Sequence, residues 1–422
     1  MPAAQPDSYS APSGGGIYAG VDEPASLPAW RIGQAVGQWR EIIGSALGAL
    51  SPTATATTVA GGSAILGASS RMNAWCGLCI DPRSSKVYSA ANGGHGDYYG
   101  NEVCSIDLAD DDPAWVELLA GSSGNVVKST EQLPDATSRG YAHYTDGRPC
   151  SRHSYSGQQF IAAHERVLTL GGSTSPRGSF FENVESFSIL TNSWDAYDCT
   201  VAPPPYGYAL GGTNSGWTPS SAWSTCTDPR DSCVYVVTQG SLRRFTPGET
   251  APGGTWDVLA DSPWAPDPYP GSYAVMVVDT NRNRLVWMLG NGAHQIYSFD
   301  LTVQSWADGQ SFPASSAATA MLSTPALIDP GGPAVGSAGG VFEPEIDAFL
   351  IRMAAAGGTV YRVDAATFDV TELSTSDGAS VPDAAAFSDQ QGVFDRWLYA
   401  PGLGGVVYFP NHSDDGWFLR TH

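Results

Sequence analysis

Lysine is almost absent from this sequence, and charge of any kind is scarce. Only 15% of the 422 residues are charged, Lys86 and Lys128 are the two lysines, and 42 acids against 20 Lys and Arg leave a formal net charge of −22. Such a field repels nucleic acid and anionic membranes, so neither is expected as a partner, and the acidity itself reads mainly as a solubility device. Long apolar runs are missing too: the stretch 42–68 is broken by Gly, Pro and Thr, which excludes a helical membrane span there. The opening MPAAQPDSYSAPSGGG has neither the basic nor the apolar region of a secretory signal, so synthesis in a cytoplasm is expected. No phosphate-cradling loop, zinc-protease helix or nucleophile elbow occurs.

Cysteine is sparse and odd in number. Cys76, Cys79, Cys104, Cys150, Cys199, Cys226 and Cys233 cannot all pair, so at least one thiol is free. Cys76 and Cys79 have metal-like spacing, yet they fall in a strand-like run where positions three apart face opposite ways, which favours buried thiols over zinc. Cys226 and Cys233 flank a turn and either bridge across a hairpin or, in a reducing compartment, stay as thiols.

What is abundant is glycine (49), proline (30), tyrosine (18) and tryptophan (13), the composition of many short strands joined by tight turns. The order recurs: an apolar strand, a polar turn, a second apolar strand ending in glycine, a third strand, then a tryptophan opening a fourth. The first copy runs from Ala74 through the turn Asp81-Pro82-Arg83-Ser84-Ser85, Gly93-Gly94 and Glu102–Leu108 to Trp115. The second starts at Arg152-His153-Ser154-Tyr155 and passes Gly171-Gly172 to Trp194; later copies reach Trp256 and Trp306, and two more carry Gly357-Gly358 and Gly404-Gly405. Six four-stranded blades of an all-β propeller are expected over residues 71–422. The alternative is seven, because Gln38-Trp39-Arg40-Glu41-Ile42 resembles a lone closing strand that either completes the last blade, removing a sheet edge, or packs outside it. Residues 1–70, dominated by small and polar residues, read as an extended arm suited to attachment in an assembly.

The run Gly93-Gly94-His95-Gly96-Asp97-Tyr98-Tyr99-Gly100-Asn101-Glu102-Val103, followed by Ile106-Asp107-Leu108 and Trp115, resembles a kelch repeat, and Gly171-Gly172 with Trp194 repeats the pattern. The resemblance is to the galactose-oxidase-like kelch propellers often encoded by tailed bacteriophages and prophages. It implies a virion protein: a non-enzymatic platform held to other virion proteins by its arm, with host surface glycan or receptor as a possible ligand. A glycine doublet and a spaced tryptophan mark a fold better than a function.

In a propeller, the loops between second and third strands and those between blades emerge on one face. That face is expected to carry His95, Asp97, Tyr98, Arg148, Arg152, His153, Trp217, Trp264, Tyr269 and His294 as candidate ligand-binding residues, since aromatic rings stack on a pyranose and charged groups fix its hydroxyls. Each has a plain structural reading beside it: His95 and Asp97 as ties within a glycine-rich turn, Arg152-His153 as an inter-blade bond, the aromatics as packing under loops. A copper radical oxidase would need a histidine and tyrosine ligand set that the seven histidines do not spell out. A glycosidase would need two facing carboxylates, and no pair stands out among so many acids. Ser413-Asp414-Asp415-Gly416-Trp417 resembles a shortened sialidase-type turn, which is structural. Asp107 with Asp110-Asp111-Asp112 could offer oxygens to calcium, but it lacks EF-hand spacing and reads as a solvated turn, so no cofactor is expected. The enzyme reading and that of a cytoplasmic interaction propeller remain the alternatives to the virion protein.

Overall fold

Short apolar strands of this kind are stable only when stacked, and here they stack around a ring. The computed structural model describes residues 27–53, 67–73, 75–94, 98–123, 143–144, 146–174, 179–180, 184–195, 224–237, 241–249, 253–263, 274–289, 295–324, 338–384 and 392–422. These form a six-bladed β-propeller of four-stranded antiparallel blades. In order from the axis outward, blade 1 is Cys79–Asp81, Lys86–Ala90, Val103–Asp107 and Val116–Leu119, and blade 2 is Gln158–Ile161, Arg166–Leu170, Val184–Ser188 and Ser193–Trp194. Blade 3 is Ser224–Thr227, Val234–Val237, Ser241–Pro247 and Gly254–Asp261; blade 4 is Val275–Asp279, Arg284–Met288, Gln295–Asp300 and Ser305–Trp306. Blade 5 is Gly339–Glu343, Ala348–Arg352, Tyr361–Asp364 and Val370–Glu372. Blade 6 takes Trp397–Ala400, Gly405–Tyr408 and Gly416–Arg420 from the C-terminal end and its fourth strand, Trp39–Ile42, from the N-terminal end, with Trp39 opposite Leu419 and Ile42 opposite Gly416. The first strand of every blade touches that of the next, and blade 6 touches blade 1.

The strands read as nearly continuous apolar runs because both faces of each blade are buried. In blade 3, Val234 and Val236 pack toward blade 2 with Ile161, Leu168 and Phe245, whereas Tyr235 and Val237 pack toward blade 4 with Leu285, Trp287 and Phe299. Period-two alternation thus feeds two inter-blade cores from one strand. Tryptophan closes three blades the same way: Trp194, Trp256 and Trp306 lie opposite Phe187, Phe245 and Phe299 on the third strand, with ring centroids 5.1–5.4 Å apart.

The turn between first and second strands also repeats. Ser85, Glu165, Ser232, Asn283, Asp347 and Gly404 hold that turn in all six blades with φ of +51° to +71°. For the five that are not glycine this costs about 1–2 kcal/mol each, offset in three blades by an aspartate whose carboxylate accepts from a turn amide: Asp81 from Arg83 N (3.0 Å), Asp228 from Arg230 N (2.9 Å) and Asp279 from Arg282 N (3.0 Å).

Two sequence expectations change. The boundary at residue 70 does not separate an arm from the ring: beyond the closing strand, the Trp30 indole donates to Leu108 O (3.2 Å), and Asp111 accepts from Ala29 N (2.7 Å), so the acidic turn anchors this segment. The remainder of the expected arm, residues 1–26 and 54–66, lies outside the described residues. Arg152-His153 does not open blade 2 either; it pairs with Ser173–Thr174 in a small separate sheet, and the blade begins at Gln158. Among the described residues no helix is long and apolar enough to cross a membrane.

Candidate functional site

The six innermost strands surround a central channel whose open cavity is about 180 Å³. Its wall is largely apolar, with Phe160, Val277, Val341 and Leu398 contributing from four blades. At the end where inter-blade loops enter, one carboxyl breaks that wall. Asp395 immediately precedes the first strand of blade 6; its Oδ2 accepts from Gln159 Nε2 at 3.3 Å, and the Ser156 hydroxyl also bonds its carboxyl. Gln159 donates in addition to Thr225 Oγ1 (3.0 Å) and accepts from Thr227 Oγ1 (2.8 Å), and Thr225 donates to Ser156 O. Asp395 keeps some surface open to the channel, but its carboxyl lies deep inside the ring. Burial holds its acidity constant well above the ordinary carboxylate range, and the Ser156 bond only partly opposes this. Burial likewise raises the nearby Cys79 and Cys226 thiols, with Asp395 adding to both and Asp228 to Cys226.

Gly77 packs against Asp395, and a Cβ there would fall 2.1 Å from Tyr155 O and 3.2 Å from Asp395 Cβ. Aromatic rings continue outward from there. Phe394 meets Tyr155 edge-on at 5.6 Å, Tyr155 meets His153 at 6.0 Å, and His153 meets the partly exposed Trp75 at 4.6 Å.

The sequence-derived candidates divide. His95, Asp97, Trp217, Trp264, Tyr269 and His294 lie outside the described residues. Arg152, His153 and Tyr98 are buried rather than presented to solvent. Arg152 stands 3.6 Å from Glu185, donates to Gly171 O (3.0 Å), and shares Glu185 with His143 at 2.8 Å. The hydroxyl of Tyr98 donates to Glu102 (2.9 Å), which faces Arg71 at 3.4 Å. Arg148 is partly exposed but donates to Ala120 O (2.8 Å) and sits 3.8 Å from Asp146.

His153 explains the glycine doublets. A Cβ on Gly94 (φ +86°) would lie 1.8 Å from its ring, and one on Gly172 (φ +89°) 2.5 Å from its carbonyl oxygen. The doublets clear space for this wedge between blades 1 and 2.

The six described cysteines are buried, and no two of them are joined in a disulfide. Cys226 faces Tyr235, not Cys233, while Cys199 lies outside the described residues. Asp395, Gln159, Thr225 and Trp75 were not singled out from sequence; the one signal was an acid placed directly before an apolar strand.

No protein-family model matches the chain, and no curated protein does. Two solved structures are similar to it: that of the Nidogen/Laminin complex, at 9% identity over 72% of this chain and 81% of the other with a TM-score of 0.38, and that of YjhT, at 13% identity over 80% and 91% with a TM-score of 0.41.

Proposed function

We propose that this is a non-enzymatic recognition propeller of the kelch type, carried in the virion of a tailed bacteriophage, whose channel mouth binds the end of a host surface glycan. The observation that carries the binding reading is Asp395: a carboxyl on the channel wall with no cation partner among the described residues, hydrogen-bonded by Gln159 of a Gln159–Thr225 pair, with the partly exposed Trp75 ring at the end of the aromatic chain that starts at Phe394. A carboxyl and an amide offer hydrogen-bonding groups that suit sugar hydroxyls, and an exposed aromatic face suits the apolar side of a pyranose. The channel is smaller than the ~300–1,000 Å³ of drug-sized ligand pockets. It therefore takes a terminal group while the rest of the ligand lies across the mouth. The kelch resemblance supports the virion assignment. So does the integration of residues 27–53 into blade 6, because whatever holds residues 1–26 then holds the ring itself.

Mass spectrometry of purified intact particles should find this polypeptide among the virion proteins, and its absence there would end that assignment. On an array of host oligosaccharides, Trp75→Ala and Asp395→Leu should each lose binding by tenfold or more. Unchanged binding in both would refute the site.

A second reading follows from the same group, since a carboxyl whose acidity constant burial raises is a candidate general acid. The other acid lining the channel among the described residues, Asp228, is bound by Arg230 at 2.6 Å. Turnover of oligosaccharides abolished by Asp395→Asn would favour a carbohydrate-active enzyme over a binding protein. For an oxidase, four of the five described histidines are engaged elsewhere, His143 with Glu185, His164 with Gly248 O, His412 with Arg71 and His422 with Glu343, and the fifth, His153, is buried between the Trp75 and Tyr155 rings.

A further inference from the structure

At the opposite end of the ring, between blades 5 and 6, three potential ligands converge. Glu343 ends the innermost strand of blade 5, Glu345 lies in the turn that follows, and His422 comes just after the third strand of blade 6. One donor atom from each lies within 4.8 Å of the others. We propose that Glu343, Glu345 and His422 form a binding site for a divalent transition-metal cation.

The argument begins with how unevenly Glu343 is satisfied. Its side chain is fully buried, and Oε1 receives both the Thr421 hydroxyl and His422 Nδ1 (2.6 Å), while Oε2 has no hydrogen-bond partner. His422 and Thr421 serve Oε1, but the buried Oε2 lacks a positive or donating partner. Glu345 brings a second carboxylate to the same place, where Tyr399 Oη donates to its Oε2 and holds it. The nearby arginines do not supply the missing charge: Arg420 donates to His422 O (2.7 Å) and Gln34 O (2.6 Å), and Arg31 to Leu403 O (3.0 Å). Two carboxylate oxygens and an imidazole nitrogen are the donor set of zinc, manganese(II) or cobalt(II), whereas calcium and magnesium prefer oxygen alone. Glu345 is exposed, which leaves a side open for water as a further ligand.

The test is titration of the full chain, stripped with EDTA and dialysed, with cobalt(II) followed by visible absorption and with zinc chloride followed by calorimetry, both at 150 mM NaCl. One equivalent per chain should bind, with a ligand-field spectrum for cobalt. Glu345→Gln, at an exposed position, and His422→Ala should each weaken binding at least tenfold while keeping the wild-type circular dichroism. Zinc should also raise the melting temperature of the wild type and not that of either variant. Because the surface is acidic, Asp110→Asn with Asp112→Asn serves as the control and should leave binding unchanged. Absence of a one-to-one site, or equal binding in wild type, Glu345→Gln and His422→Ala, would overturn the proposal.

Discussion

Glu185, on the third strand of blade 2, and Asp395, at the entrance to the first strand of blade 6, both lie near the loop-bearing end of the ring, the first buried and the second on the channel wall, and their surroundings treat them in opposite ways. Burial pushes Glu185 upward, but His143 and Arg152 together outweigh it and leave the group below the ordinary carboxylate range. Asp395 has no cation to do this, so burial prevails and the group is held well above that range. The first arrangement answers its own charge: Arg152 and His143 stand against Glu185 beside the junction of blades 1 and 2. The second does not, a polar group retained in an apolar channel with no cation among the described residues to balance it. A cluster that answers its own charges holds blades together, and a group left open to a channel is available to something that enters it.

The comparison can be broken at either end. The largest effect is expected from Glu185→Ala, which strands Arg152 and His143 in the interior without an anion; urea denaturation should show a loss of about 3–5 kcal/mol. Next comes the wedge beside that cluster, where Gly94→Ala drives a methyl into the His153 ring at a left-handed backbone position and should cost about 1–3 kcal/mol by the same measurement. Asp395→Asn should change stability by less than about 1 kcal/mol at about pH 3, where the carboxyl is mostly protonated in the folded and unfolded chains alike and presents hydrogen-bonding groups similar to those of an amide.

Stability against pH sharpens the contrast further. A lowered folded acidity constant means that the stability Glu185 supplies is present above its unfolded value, about 4.3, and is lost as pH falls through the folded one. Asp395 runs the other way. Its contribution is fully present below the unfolded value, about 3.9, and is lost as pH rises through the raised folded value. Denaturation profiles of Asp395→Asn should therefore decline less than the wild type as pH rises above about 4, and those of Glu185→Gln should decline less as pH falls below it. Identical profiles for wild type and both variants would mean that neither carboxyl differs from one on the surface.

The blades were legible because each strand buries both faces. Residues such as Val234-Tyr235-Val236-Val237 form an unbroken apolar word, and the Asp81 and Asp228 turns punctuate it. The closing role of Trp39–Ile42 was half legible, since the strand could be seen but not the edge it fills at Gly416–Arg420, where Trp39 meets Leu419, 380 residues further along the chain. The site was not legible. Asp395 is one acid among 42, and what makes it unusual is convergence: Gln159 from blade 2 reaches it, and Thr225 from blade 3 reaches Gln159, only when the ring closes. Arg152 and His153 misled for the opposite reason. A charged pair beside a turn looks like a surface, whereas Gly94 and Gly172 make room for it inside.

The protonation state of Asp395 tests the central claim most directly. In carbon-detected NMR of the chain labelled at aspartate carboxyls, one resonance absent from Asp395→Asn should remain in its protonated position well above the pH at which surface aspartates ionise, and it should shift when a bound oligosaccharide is added. A resonance that titrates together with the surface aspartates and ignores every ligand would contradict the account.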